Sequence, residues 1–146
     1  MNQETVDALD KFFWAQKELN LLGIIRSRDY IGDVAKYLCR EVYNLEPSKG
    51  RRAKHDGTIG DSKIRIAVNN SPTGTKVFLQ EPFEFDELIV VLGPNCKLRP
   101  AHPEGDFLFY RYTRDETVKK FKTPKGNYIG GEDVFSEGHD RVLDLS

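Results

Sequence analysis

Long apolar runs and cysteines are both scarce in this sequence of 146 residues, and each shortage excludes a class of protein. No apolar run approaches the roughly 18 residues that a membrane-spanning helix requires. The two cysteines, Cys39 and Cys96, are far apart and lack the C-x-x-C spacing of zinc and redox sites. We therefore expect a globular protein that spans no membrane and keeps its thiols reduced in the cytoplasm, with a disulfide as the less favoured alternative.

Histidine and net charge are also scarce. The three histidines, His55, His102 and His139, show no metal-ligand spacing, which argues against a structural zinc site. Lysine and arginine number 22 against 23 aspartates and glutamates, so the net charge of −1 gives no overall attraction for nucleic acid, although a local basic patch is compatible with it. The N-terminus, MNQETVDALDKFFW, lacks the basic and apolar regions of a signal peptide.

Two amphipathic helices are predicted in the first third of the chain. In residues 5–22, apolar side chains recur at spacings of three and four, and Gly23 follows as a helix terminator. We expect this stripe to pack against a sheet, and a dimer surface is the alternative. A second helix should begin at a cap on Ser27 or Asp29 and end near Asn44.

A β-hairpin is predicted for residues 55–70, which read HDGTIGDSKIRIAVNN. Gly60 and Asp61 supply a tight turn. Residues 63–68 then alternate polar and apolar, as in a strand with one buried face. Because the turn is short, Asp56 at the start of the hairpin should lie opposite residues 65–67 of the second strand.

The rest of the chain predicts further strands and one more helix. Short strands are expected at 76–79 and 107–112, and the apolar run ELIVVL at 87–92 is the best candidate for a central buried strand. Thr113 and Glu116 form a capping box that begins a helix. The order of these segments predicts a single α/β or α+β domain with a mixed central sheet flanked by helices.

The predicted hairpin resembles the metal site of the PD-(D/E)XK, or restriction-endonuclease-like, nucleases. That site carries an aspartate on one strand and an acid-x-lysine on the other. The strings NNSPTGTKVFL and FDELIVVLGPNCKLRP, together with Gly32 and Asp33 in the second helix, extend the resemblance over residues 30–112. It implies a core with the order helix-strand-strand-strand-helix-strand.

This resemblance divides the single domain into three parts. Residues 27–122 form the restriction-endonuclease-like core, and residues 1–26 form an N-terminal helix in front of it. Residues 123–146 form an irregular, turn-rich C-terminal tail, in which we expect a short strand or two and a peripheral packing role.

The resemblance implies Mg²⁺-dependent phosphodiester hydrolysis in double-stranded DNA. Carboxylates would hold the metal, which polarises the phosphate and lowers the pKa of an attacking water. The lysine would stabilise the charge that develops on the phosphoryl group. Asp56 is the first candidate ligand, and Asp33 and Glu41 are candidate ligands from the second helix.

The chain departs from the nuclease pattern at both remaining motif positions. The acid position is Arg65, which cannot bind a metal because a guanidinium only donates hydrogen bonds. The lysine position is Ala67. Lys36 or Lys63 could replace the missing lysine, and Asp61-Ser62-Lys63 is an alternative acid-x-lysine. Three explanations stay open: an engineered loss of a catalytic lysine, a natural loss that leaves a binding module, and a wrong register.

Positive charge is concentrated in the loop EPSKGRRAKH and around the hairpin that follows it. Such a run is either a solvated face or a set of phosphate contacts, and its position beside the hairpin favours the contacts. The candidate DNA-binding residues are Lys49, Arg51, Arg52, Lys54, Asn69, Asn70 and Lys76.

Two functions follow from these observations. One is a restriction-like deoxyribonuclease with weak or no cleavage, which should act as a homodimer with the first helix as part of the contact. The other is a non-catalytic module that binds nucleic acid or protein with the same fold. Mg²⁺ bound near Asp56 would distinguish the nuclease from the binding module.

Overall fold

The strand-forming segments assemble into two sheets. A computed structural model describes residues 1–49, 54–100, 105–136 and 138–145. Its strands are β1 (Glu46–Pro47), β2 (Gly57–Ile59), β3 (Ser62–Asn69), β4 (Val77–Leu79), β5 (Glu87–Leu92), β6 (Phe107–Thr113), β7 (Tyr128–Gly130) and β8 (Arg141–Leu143). The main sheet has the order β1-β2-β3-β5-β6-β8, and β4 pairs with β7 in a second, two-stranded sheet. Since β3 and β5 are parallel and the other neighbours antiparallel, the main sheet is mixed, as predicted.

Local capping signals set the ends of the helices, which are α1 (Gln3–Leu21), α2 (Tyr30–Tyr43), α3 (Arg114–Phe121) and α4 (Glu132–Phe135). Asp29 caps α2 by accepting a hydrogen bond from the Gly32 N–H at 3.0 Å. Asn44 ends α2 in the left-handed conformation, with a φ of 55°. The capping box of Thr113 and Glu116 is present at the start of α3. These three predictions are confirmed.

The strand β5 is the buried centre of the fold, as its continuous apolar sequence predicted. Leu88, Val90 and Leu92 point to one side of the sheet, where α3, α4 and the small sheet cover them. Ile89 and Val91 point to the other side, which α2 covers. Both faces of the main sheet are therefore occupied by elements from the second half of the chain and by α2.

The connection from β3 to β5 differs from the core order that the nuclease resemblance implies. Residues 70–86 are all described, and they contain the strand β4 but no helix. The next helix, α3, comes only after β6. The restriction-endonuclease-like core order is therefore not confirmed, while the mixed α/β domain with flanking helices is confirmed.

The first helix does not pack against the sheet, which corrects the favoured expectation for its apolar stripe. No residue of α1 is buried. Its contacts with the rest of the chain include a hydrogen bond of 2.7 Å from Gln16 Nε2 to Tyr30 Oη, and Phe12 and Tyr30 rings 6.5 Å apart. The physical reason is that α2 and α3 already cover the two faces of the sheet. Among the described residues, no helix has the length and apolar character needed to cross a bilayer.

The C-terminal segment is more ordered and more central than predicted. β7 and β8 are the expected short strands, and the latter pairs with β6 in the main sheet. Phe135 of α4 is fully buried, and its carbonyl accepts a hydrogen bond of 2.7 Å from Tyr110 Oη. The expected peripheral role is therefore wrong, because this segment closes one side of the core.

Both cysteines are buried and free, in agreement with the expected reduced thiols. Cys39 lies on α2 against the sheet. Burial, to which the nearby charge of Asp56 adds, raises the pKa of Cys39 to about 12. The thiol of Cys39 is therefore protonated at neutral pH and packs as a small apolar side chain.

Candidate nucleic-acid interface

The β2–β3 hairpin has the register that its sequence pattern predicted. A turn at residues 60–61 joins the strands, and Gly57 pairs with Ile64. Asp56 precedes β2, and its Oδ2 accepts a hydrogen bond of 2.7 Å from the Ile66 N–H. The prediction that Asp56 lies opposite the middle of the second strand is therefore confirmed.

The Asp56 carboxylate lies between two cationic side chains. Its Oδ1 is 3.6 Å from Lys36 Nζ of α2, and its Oδ2 is 4.0 Å from Arg65 Nε of β3. The Asp56 side chain is only 15% exposed, whereas those of Lys36 and Arg65 are about half exposed. Each carboxylate oxygen thus faces a cation, while both cations also reach the surface.

The second candidate ligand, Asp33, is bound to the loop that precedes α2. Its Oδ2 accepts hydrogen bonds from the backbone N–H groups of Arg26 and Ser27, both at 2.7 Å. Burial raises the pKa of Asp33, but these hydrogen bonds and the charge of Lys36 outweigh burial, and the net effect is a lowered pKa. The Asp33 carboxylate therefore holds the loop that precedes α2 in place. Lys36 lies between Asp33 and Asp56 and interacts with both carboxylates.

The predicted metal ligands do not converge on one point in the described part of the chain. Glu41 is exposed on α2, and within the described ranges no hydrogen bond or ion pair connects it to Asp56. No group of three His, Cys, Asp or Glu side chains with metal-binding geometry occurs in the part of the chain that the structure describes. Mg²⁺ prefers several oxygen ligands. A single carboxylate flanked by two cations does not fit that requirement.

The remaining candidate catalytic residues separate into two groups. Lys36 reaches Asp56, so it is the lysine that could replace the one missing at Ala67. Lys63 instead lines a cleft of about 530 Å³ between the hairpin and residues 83–86, and its backbone N–H donates to Asp86 Oδ2 at 2.9 Å. Ala67 is half-buried and packs against the core.

A cleft of about 620 Å³ begins beside Arg65 and runs along β3 to β4 and the loop that follows β4. It combines cationic and aromatic side chains, namely Lys54, Arg65, Lys76, Phe78, Phe83 and Phe85. The Phe78 side chain is 69% exposed, because it alternates with buried Val77 along β4. Phe78 was not among the predicted site residues. The sequence signal that could have identified it is the alternation of inward and outward side chains along the short strand β4.

The carboxylates of this cleft already have partners within the chain. Glu84 Oε1 is 3.2 Å from Lys54 Nζ. Glu81 accepts a hydrogen bond from Tyr128, and this bond raises the pKa of that phenol. No described residue forms an ion pair with Lys76, and Arg65 has only its 4.0 Å contact with Asp56. Arg65 and Lys76 are therefore the cations of the cleft most available to a ligand.

The two predicted asparagines hold the loop beside the cleft. Asn69 Oδ1 accepts from the Ser71 N–H at 2.8 Å, and its Nδ2 donates to the Lys76 carbonyl at 3.2 Å. Asn70 Oδ1 accepts from the Asn95 N–H at 2.9 Å. These bonds give both side chains a structural role, and their DNA contacts stay a prediction.

The basic loop is described only in part. Lys49 is exposed at the end of one described range, and Lys54 lines both clefts at the start of the next. Arg51 and Arg52, which the sequence predicted to bind DNA, lie outside the described residues. No family model matches this chain, and the comparison with curated proteins found no match. The nuclease resemblance therefore stays a prediction.

Proposed function

We propose that this protein binds the phosphate backbone of nucleic acid, with double-stranded DNA as the target class, and that it does not cleave its target. The observation that carries this proposal is the position of Lys36 and Arg65 on either side of Asp56. Arg65 stands where the nuclease site that the hairpin resembles has a carboxylate, and Lys36 brings a second half-exposed cation to the same aspartate. In this proposal the domain is a non-catalytic module that uses a restriction-endonuclease-like hairpin for binding.

Four cations connect the hairpin to the cleft and form the proposed contact surface. Lys36 and Arg65 are joined through Asp56, and Arg65 shares the cleft with Lys54 and Lys76. Lysine and arginine contacts to phosphates supply affinity without sequence specificity, and they release counterions from the nucleic acid. Binding should therefore weaken steeply as the salt concentration rises, although the whole chain has a net charge of −1.

A metal-dependent nuclease of low activity is the second candidate function. One observation favours it: Asp56 occupies the hairpin position that the resemblance assigns to a metal ligand, and Lys36 lies beside it. In that case Mg²⁺ would bind Asp56, and Lys36 would stabilise charge on the phosphate. Arg65 would then have to leave the carboxylate to make room for the metal.

The Asp56→Asn variant separates the two candidates, because they predict opposite results. In a binding module, removal of the Asp56 carboxylate releases Lys36 and Arg65. It also removes the repulsion between that carboxylate and a phosphate, which is worth about 1 kcal/mol. Duplex DNA should therefore bind about fivefold more tightly. Asparagine keeps an oxygen that can accept the Ile66 N–H bond. Fluorescence anisotropy with a labelled duplex, at several salt concentrations, measures the change.

The control is Asp61→Asn, which removes an equal charge from the exposed turn of the same hairpin. It should leave affinity within twofold of the unchanged protein. Equal gains for both variants would show that only net charge matters. A loss of binding in Asp56→Asn, together with loss of any Mg²⁺-dependent cleavage, would contradict the binding module and support the nuclease.

Restoring only the lysine of the nuclease motif should not restore cleavage. We expect no nicking of supercoiled plasmid by the chain itself or by Ala67→Lys in the presence of Mg²⁺ or Mn²⁺, because the described residues contain no group of three side chains able to hold the metal, and Ala67→Lys adds no carboxylate. Chelation of divalent metal should leave DNA affinity unchanged. Cleavage by Ala67→Lys alone would instead establish the nuclease register, and Arg65→Glu/Ala67→Lys is the stricter version that supplies both motif positions.

A further inference from the structure

The strand β3 has an open edge along the cleft that begins beside Arg65. β2 pairs with β3 only at residues 62–64, whereas β5 pairs with β3 as far as Asn69. Beyond Ile64, no other strand is hydrogen-bonded to the β2 side of β3 in the part of the chain that the structure describes. This open edge forms one wall of the cleft, and β4 with the loop that follows it forms the other wall.

The backbone groups of the open edge follow from the alternation of the strand. The Ile66 N–H donates to Asp56 Oδ2 at 2.7 Å, so Ile66 turns its backbone groups away from β5. Val68 lies two residues further along β3, and its N–H therefore points to the same side. Within the described ranges, no acceptor is bonded to this N–H. A backbone N–H in the same wall as Arg65 is a donor that a nucleic-acid phosphate accepts.

The opposite wall of the cleft carries a cation and an aromatic ring. Lys76 has no ion-pair partner among the described residues, and Phe78 lies two positions further along the chain. The Phe78 side chain is 69% exposed, whereas the rings of Phe83 and Phe85 stack on each other with centroids 5.1 Å apart. A single exposed apolar side chain is common on protein surfaces. Its place in one cleft with two available cations is what indicates a ligand.

The size of the cleft restricts the ligands that can enter it. Its volume of about 620 Å³ lies within the range of about 300–1,000 Å³ that is typical of pockets for small ligands. A single nucleotide has a suitable size, whereas a base inside a duplex has both faces covered by neighbouring base pairs. A base can therefore stack on Phe78 only when it is unpaired and has left the helical stack.

We propose that the cleft holds an unpaired nucleotide, with its base stacked on Phe78 and its phosphate bound by Arg65 and Lys76. This inference rests on the proposed phosphate-binding surface and names the form of DNA which that surface prefers, a duplex that ends in or is interrupted by unpaired bases. The adjoining duplex would contact Lys36 and Lys54 of the same surface. Cations along a groove together with an exposed aromatic ring are the usual elements of single-strand binding, and stacking of this kind accepts any base.

An extended peptide is the other ligand that an open strand edge can accept. Its affinity would come from a row of main-chain hydrogen bonds to the strand. The Asp56 carboxylate already accepts the Ile66 N–H, so Val68 provides the one open N–H donor of this edge among the described residues. A single donor supports only a short ladder with a peptide strand, whereas it suffices for a phosphate beside cations. The edge therefore favours a phosphate.

The test compares three labelled DNAs by fluorescence anisotropy: a blunt duplex, the same duplex with a short thymidine overhang, and the same duplex with an abasic overhang of equal length. The two overhangs carry the same phosphates and differ only in their bases. The thymidine overhang should bind at least about fivefold more tightly than the abasic one, which is the low end of the contribution of one stacked base.

Phe78→Leu keeps an apolar side chain but has no aromatic face, so its preference for the thymidine overhang should fall below about twofold. Its affinity for the blunt duplex should stay within about twofold, and Phe78→Trp should keep the preference. Phe13→Leu is the matched control, because Phe13 is 60% exposed on α1 and does not line the cleft. A fluorescent adenine analogue in the overhang should lose emission on binding to the unchanged chain, and not on binding to Phe78→Leu.

The outcomes separate this inference from the proposed function. Equal affinities for the two overhangs, with salt-sensitive binding of the blunt duplex, would overturn the stacking and leave the phosphate-binding surface intact. A preference that persists in Phe78→Leu would also overturn it, because the base would then bind elsewhere. Failure to bind any of the DNAs would overturn both proposals. Tight binding of an oligoglutamate peptide, without a preference for the thymidine overhang, would assign the cleft to an extended peptide instead.

Discussion

Exchanging both Arg65 and Lys76 for glutamate should abolish measurable binding to duplex DNA at physiological salt. These are the two cations of the cleft that the chain leaves most available, since Glu84 already pairs with Lys54. Each reversal removes one phosphate contact and adds a repulsive charge at the same place. We expect an affinity loss of at least about 100-fold. The slope of log affinity against log salt concentration should decrease in magnitude by about two, because two phosphate contacts are lost.

The control for this experiment has the same change in net charge at another place. Lys119→Glu/Lys122→Glu alters two exposed lysines of α3 and its C-terminal end, and neither lines a cleft. This variant should lose less than about threefold in affinity, because surface charges more than about 10 Å from a phosphate are screened by salt. If both double variants lose the same affinity, the chain binds DNA through diffuse charge and the proposed surface is wrong.

Phe121→Ala should lower the free energy of unfolding by about 4 kcal/mol. The ring is 1% exposed and makes edge-to-face contacts with Tyr112 and Phe135, whose ring centroids are 5.9 and 6.0 Å away. Gly130 lies so close to the ring that a Cβ added at Gly130 would collide with Phe121, which shows how little space surrounds the ring. Urea denaturation followed by circular dichroism gives the difference directly.

Phe78→Ala provides the matched control, because it removes the same side chain from an exposed site. Its effect on the free energy of unfolding should stay within about 0.5 kcal/mol. A loss below about 1 kcal/mol for Phe121→Ala would mean that α3 and α4 do not close the core as described. A large loss for Phe78→Ala would mean that β4 is covered by another part of the protein.

The absence of net positive charge does not conflict with a nucleic-acid function. Carboxylates near the proposed surface are neutralised within the chain, Asp56 by Lys36 and Arg65, and Glu84 by Lys54. Their pairing leaves a local excess of exposed cations, whereas acids elsewhere, such as those of α1, set the net charge of −1. Local arrangement and total charge are therefore independent quantities in this chain.

The sequence by itself determined the features that depend on neighbouring residues. The capping of α2 by Asp29 and the capping box at Thr113 follow from short-range hydrogen bonds, and both were predicted correctly. The hairpin register follows from a tight turn and a period of two, so the position of Asp56 opposite β3 was also predictable. The apolar run from Leu88 to Leu92 identified β5 as the central strand, because a strand buried on both faces carries apolar side chains at successive positions.

Only the tertiary structure decided which elements share a face and which charges meet. The apolar stripe of α1 has the same spacing as a stripe that faces a core, and it is exposed because α2 and α3 cover the two faces of the sheet. The pairing of Lys36 with Asp56 joins residues 20 positions apart from a helix and a hairpin, and no local pattern encodes that distance. Sequence patterns specify how each segment buries its own apolar side, whereas a binding surface depends on the side chains that the fold leaves outside.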